Sequence, residues 1–151
     1  MDSDRRWMAE AISEAKKSRE SGGIPIGSVL VAQGTIIGRG HNQRVQKNNP
    51  ILHAEMVTVQ DAGRLRASVY SQSTMYTSLS PCTMCAGTIV LYKIPRVVIG
   101  ENRTVKDLTL CEDWLVEQGV EVINLDLQEC VDIMNDFIKE CPEVWNEDVG
   151  V

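Results

Sequence analysis

The chain has 151 residues, 43% of them hydrophobic and 24% charged, with a formal charge of −6. These values suit one folded domain spanning 1–151 with a real core, and they exclude a disordered polymer. The acidic balance disfavours a nucleic-acid partner gripped by phosphate contacts, and no apolar run is long enough to span a membrane.

Residues 1–17 are too charged for a signal peptide, so a cytoplasmic protein is expected. Arg5 to Glu20 reads as a helix, because Trp7, Met8, Ala11, Ile12 and Ala15 form one apolar stripe. Gly27–Ala32 and Thr35–Arg39 read as a hairpin around Gln33-Gly34, and His41–Pro50 as a polar loop. A helix is predicted over His53–Ala62 with Gly63 as its stop, then a strand over Thr74–Thr77 and a helix over Cys82–Tyr92. Strand Arg96–Ile99, helix Glu112–Gln118, strand Val120–Ile123 and helix Leu127–Glu140 complete the series, and a tail runs over 142–151. The alternation predicts a three-layer α/β/α fold with a five-stranded mixed central sheet. The helices at His53 and Cys82 are expected to start at one end of adjacent strands, where open α/β sheets bind ligands.

His53-Ala54-Glu55 and Pro81-Cys82-Thr83-Met84-Cys85 carry the chemistry. His53, Cys82 and Cys85 are a ligand set for one zinc ion with its fourth position left to water, which is the mark of a catalytic site. Glu55 is then placed to move that water's proton, first as base and then as acid. The pairing of H-x-E with P-C-x-x-C is the signature of zinc nucleobase deaminases. A structural zinc, with a fourth ligand from Cys111, Cys130, Cys141 or His41, is the competing reading, and it leaves Glu55 without a task. Those three cysteines otherwise read as small buried apolar groups, and His41 as a hydrogen-bonded structural residue. Asn42 is open on local grounds: an amide that reads a base edge, or a turn residue.

Several segments together resemble the fungal-type cytosine deaminases, the free-base branch of the cytidine deaminase superfamily. They are Gly22-Gly23-Ile24-Pro25-Ile26-Gly27, Gly38-Arg39-Gly40-His41-Asn42, Leu52-His53-Ala54-Glu55, Ser78-Leu79-Ser80-Pro81-Cys82-Thr83-Met84-Cys85, Ile99-Gly100-Glu101-Asn102 and Trp145-Asn146-Glu147-Asp148-Val149-Gly150. The resemblance implies a homodimer and a C-terminal tail, 142–151, that covers the active site. It implies that Asn42 and the Ala54 N–H bind the ring carbonyl edge. The Ser80 carbonyl and Asp148 would bind the leaving amine, and Trp145 would wall the pocket.

The chain departs from that pattern where the base would be gripped. Val45 stands where an aromatic is expected at the pocket edge. A clamping Phe is replaced within Arg103–Leu108, leaving Val105 or Leu108 as aliphatic substitutes. Thr83 replaces an Asp, and Ala54 replaces a Gly. Hydrolytic deamination of cytosine to uracil is therefore the leading expectation, with isocytosine or another small amino-heterocycle as the alternative. Adenosine deamination in tRNA and a non-catalytic zinc module are the more distant rivals.

Overall fold

The computed structural model describes residues 2–105 and 109–149. Its five strands are β1 (Gly27–Ala32), β2 (Thr35–His41), β3 (Ser73–Thr77), β4 (Arg96–Ile99) and β5 (Glu121–Asn124). The longer helices are α1 (Asp2–Glu20), α3 (Ala54–Ala62), α5 (Thr83–Leu91), α6 (Thr109–Glu117) and α7 (Gln128–Glu140). Three shorter ones, α2 (Arg44–Lys47), α4 (Ala67–Tyr70) and α8 (Pro142–Asp148), fall in segments read from sequence as loop, left unassigned or read as tail. Leu108, one of the two aliphatic substitutes, and the last two residues of the tail lie outside the described residues.

The strands form one sheet in the order β2-β1-β3-β4-β5. β1 runs antiparallel to both neighbours, and β3, β4 and β5 are mutually parallel, which is the mixed sheet expected. The β1–β2 hairpin turns on Gln33 and Gly34, both at positive φ (50° and 72°), as a two-residue turn matched to strand twist requires. Period-two alternation sends Val29 and Val31 to one face of the sheet and Leu30 to the other.

On the Val29 face lie α1, through Met8, Ala11 and Ile12, and α7, through Cys130 and Ile133. On the Leu30 face lie α3, α5 and α6, through residues such as Ala62, Ile89 and Leu115. A third apolar cluster joins Ile24, Ile26, Leu79, Phe137 and Trp145 beyond the strand ends, beneath the motif loops. Burying one aromatic side chain of this size stabilises by about 2–3 kcal/mol.

One expectation is corrected. The two motif helices do start at the same end of the sheet, but their strands, β2 and β3, are not adjacent. β1 lies between them, because the hairpin folds β1 back into the interior. Their convergence depends on how closely α3 lies on β2. A Cβ added at Gly38 would come 2.5 Å from Thr58 O, and one at Gly40 would come 2.5 Å from Val57 Cγ1. With no side chain at either glycine, α3 lies directly against β2.

Candidate active site

His53 and Cys82 do not lie inside their helices, as the sequence suggested. Each is the N-cap residue, with extended backbone (ψ 159° and 179°), so its side chain projects from the helix mouth. Cys85 is three residues further on, buried in the first turn of α5. The donor atoms of His53, Cys82 and Cys85 all lie within 4.8 Å of one another. His53 Nδ1 is 3.4 Å from Cys82 Sγ. Zinc–nitrogen and zinc–sulfur bonds at a tetrahedral angle would hold those atoms about 3.6 Å apart. The three residues therefore fit one zinc ion as they stand.

Glu55 is 4% exposed, in the first turn of α3 beside both thiols. Burial, then the Cys82 charge, push its carboxyl above the ordinary glutamate range, while His53 pulls the other way. The Cys85 thiol, outweighing burial and helped by His53, holds Cys82 down to about 4. Burial opposes the charged form of His53, yet Asp148 and Cys82 raise it to about 10. The protein groups alone thus favour a thiolate at Cys82 but hold His53 protonated and push the Cys85 thiol up, so a metal would have to displace protons from those two.

A cavity of about 470 Å³ opens on these groups. His53, Ala54, Glu55, Ser80 and Cys82 line one side of it, and Trp145 and Asp148 of α8 contribute another part. Trp145 is 7% exposed. Asp148 Oδ1 lies 3.3 Å from His53 Nε2, so α8 reaches the ring edge opposite the sulfurs. Ser80 donates its hydroxyl to Glu112 of α6 at 2.9 Å, and Asn102 Nδ2 reaches the same carboxylate at 3.0 Å.

Asn42 is fully buried, one residue removed from the cavity: its N–H donates to the carbonyl of Ile26, which lines it. Its Oδ1 accepts from the Arg44 N–H at 3.0 Å, and its Nδ2 is a buried donor with no partner. His41 makes the structural contact expected of it, Nδ1 to Asn42 O at 3.1 Å.

Three features differ from the sequence reading. Val45 is 44% exposed and borders a groove against Glu143 and Val144 of α8, outside the main cavity. Cys111 is buried, as expected, but it faces the cavity rather than the core alone. Val105, by contrast, agrees with the sequence reading: it lines the cavity as one of the two expected aliphatic substitutes. Arg44 was not singled out at all. Its guanidinium pairs with Glu147 and Asp148, and no spacing rule links a loop arginine to acids 103 residues away.

Residues 1–101 match the family described as the cytidine and deoxycytidylate deaminase zinc-binding region. The chain is 50% identical to a cytosine deaminase of Candida albicans over 97% of both proteins. It is 45% identical to a tRNA-specific adenosine deaminase of Bacillus subtilis over 66% of this chain and 63% of that one. Among solved structures, one from work on A-to-I editing by tRNA:A34 deaminases superposes with a TM-score of 0.69 and 26% identity. That match covers 85% of this chain and 99% of the other. A guanine deaminase of Nitrosomonas europaea shares the fold at a TM-score of 0.73 and 17% identity, over 87% and 82% of the two chains.

Proposed function

This chain belongs to the cytidine and deoxycytidylate deaminase family and is a zinc-dependent hydrolase of C–N bonds; from that premise we propose that it deaminates a free pyrimidine base, cytosine first, to uracil and ammonia. The observation that carries the choice of substrate is α8. It seats Trp145 and Asp148 in the cavity beside the metal ligands, where a ribose or flanking nucleotides would have to leave. The nearly full-length likeness to a protein named cytosine deaminase supports the same reading. The tRNA-specific relative matches only about two thirds of either chain.

Zinc, when bound, supplies a Lewis acid that lowers the pKa of a water toward neutrality. The chain's own groups do the rest. Glu55, with its raised pKa, accepts the proton of the attacking water and passes it to the ring nitrogen beside the amino-bearing carbon. As the tetrahedral intermediate collapses to the new ring carbonyl, Glu55 takes the remaining proton of its hydroxyl and delivers it to the amine, and ammonia leaves. The Asn42 Nδ2 is the donor for the ring carbonyl, since its other polar atom is already committed to Arg44. The Ala54 N–H, among the first amides of α3 and without an intrahelical partner, assists it. Asp148 and the Ser80 carbonyl take the departing amine, and Trp145 forms a wall for the flat ring.

Isocytosine is the second reading, and the pocket edge favours it. Val105 and Cys111 stand at the cavity, and an aliphatic edge constrains a ring nitrogen in place of C5–H less strictly than a stacked aromatic. Ammonia release from cytosine, isocytosine, 5-methylcytosine, cytidine, adenine, guanine and creatinine, measured in parallel, separates these readings. Cytosine is expected to lead; activity on cytidine with none on any free base overturns the proposal.

We further propose one cytoplasmic domain that acts as a homodimer. The support is that Leu91 and Tyr92 at the end of α5 and Leu110, Trp114 and Val116 of α6 are large apolar side chains left 38–72% exposed. No helix among the described residues is long and apolar enough to cross a membrane.

A further inference from the structure

Arg44 occupies a position no motif marks. It opens the single-turn α2, two residues beyond Asn42, and its side chain is only 9% exposed. Nη1 lies 2.6 Å from Glu147 Oε2 and 3.1 Å from Asp148 Oδ1, and Nη2 donates to Glu147 Oε1 at 3.1 Å. Nε donates to Pro50 O at 2.9 Å, which anchors the guanidinium plane to the loop before His53. The backbone N–H of the same residue holds Asn42 Oδ1. One residue therefore fixes the Asn42 amide through its main chain and Asp148 through its side chain. Those two groups are far apart in the sequence.

Apart from the Asp148–His53 contact, the other hold on α8 among the described residues is apolar, through Trp145 and Val144. Apolar packing sets no azimuth for a short helix at the chain's end. A planar guanidinium with fixed donor directions does, because the bidentate pair with Glu147 fixes the helix's rotation, and the 3.1 Å charge contact with Asp148 Oδ1, which takes no hydrogen bond, draws that end of the helix inward. Asp148 is in turn the group that meets His53 Nε2 at 3.3 Å. α2 is tied down independently: Gln46 Nε2 donates to Ser18 Oγ at 3.1 Å, and Ser18 Oγ donates to Asn42 O at 2.7 Å. The arginine thus projects from a braced support.

We propose that Arg44 is a positioning residue, a clasp that holds α8 closed over the cavity and sets Asp148 and Asn42 at their working separation. The role in turnover rests on the free-base reading above; the role in holding α8 does not. Loss of the clasp weakens capture of the base more than the chemical step, because the hydrogen bonds and ion pairs of Arg44 go to Asn42, Pro50, Glu147 and Asp148 and none reaches Glu55, Cys82 or Cys85.

The test uses the zinc-loaded protein and the variants Arg44→Met, Arg44→Lys and Glu147→Gln. Hydrogen–deuterium exchange of residues 142–149 is expected to speed up tenfold or more in Arg44→Met, with partial recovery in Arg44→Lys. It is expected to speed up only a few-fold in Glu147→Gln. Exchange in α3 and β3 is expected to stay within twofold, which a general loss of stability would not allow. In parallel, KM for cytosine, or for whichever base of the panel releases ammonia, is expected to rise tenfold or more in Arg44→Met. The corresponding kcat should change less than threefold. Unchanged exchange over 142–149 in Arg44→Met overturns the clasp. Faster exchange with an unmoved KM overturns the positioning role while leaving the clasp. A wild-type protein inactive on every free base defeats the substrate reading, and the exchange result still decides the clasp. Should Arg44→Met fail to fold, Arg44→Lys and Glu147→Gln carry the same comparison.

Discussion

Glu55 is the buried carboxyl to which both proposed proton transfers are assigned. It lies among thiols at 4% exposure, and burial and the Cys82 charge both favour its protonated form. A carboxylate in that setting holds the proton it accepts until the amine can receive it, as the proposed shuttle requires. Glu55→Gln keeps the shape and removes that ability. It is expected to bind zinc one to one by atomic absorption and to lose ammonia release by about a thousandfold; retained wild-type turnover would assign the proton shuttle elsewhere. The placement of Glu55 beside His53 and of Cys85 beside Cys82 was legible because their spacing is local: an N-cap and its first turn bring i and i+2 or i+3 together whatever the rest of the chain does. Asn42 was half legible, since its free Nδ2 appears only once the Arg44 N–H is seen to occupy Oδ1. Arg44 and the cavity-facing Cys111 were not legible, because what they meet is decided by the return of α8 and α6.

Among elements, α1 shows how packing and charge divide the work. Its apolar stripe was evident from sequence, yet its seating depends on Gly27, where an added Cβ would fall 1.9 Å from Ala11 O. Gly27→Ala must therefore push helix from strand, and a urea melt is expected to show a loss of about 3 kcal/mol. The outer end of α1 is pinned by Asp4, whose carboxylate takes two 2.8 Å bonds from Arg96 of β4 and another from the Tyr76 hydroxyl of β3. The Arg96 hydrogen bond, outweighing burial and reinforced by Tyr76, holds Asp4 below the ordinary aspartate range. A carboxyl depressed in the folded state stabilises it at pH values above its unfolded pKa, near 4. That contribution is lost as the pH falls from there through the folded value. Asp4→Asn should cost about 1–3 kcal/mol at pH 7 and progressively less below pH 4, read as urea midpoints across that range. An equal loss at pH 7 and pH 3 would remove the ion pair from the account. The strands and long helices were legible from periodicity. The short α2, α4 and α8 were not, since four to seven residues carry too little pattern to separate a turn of helix from a loop.

For the molecule as a whole, the sheet order decides more than the motifs do. β1 pairs with β3 across a long stretch of chain and separates the strand that leads to His53 from the strand that leads to Cys82. The sequence showed the alternation of strands and helices but not this interleaving, because hairpin and crossover connections carry similar local patterns. A consequence follows for the order of folding. The sulfur and imidazole ligands meet only after β3 has inserted beside β1, so the metal has no preformed site to bind until the slow, long-range pairing is complete. Zinc should then act on the way out of the native state and not on the way in. Stopped-flow refolding is expected to run at the same rate with zinc or with a chelator present. Unfolding of the zinc-loaded protein should slow by roughly the full equilibrium gain, about 4 kcal/mol at a thousandfold excess over Kd. Faster refolding with zinc would mean that the ligands gather before the sheet does. In that sense the metal acts as a late ratchet: it cannot start the fold, but it keeps a finished one from coming apart.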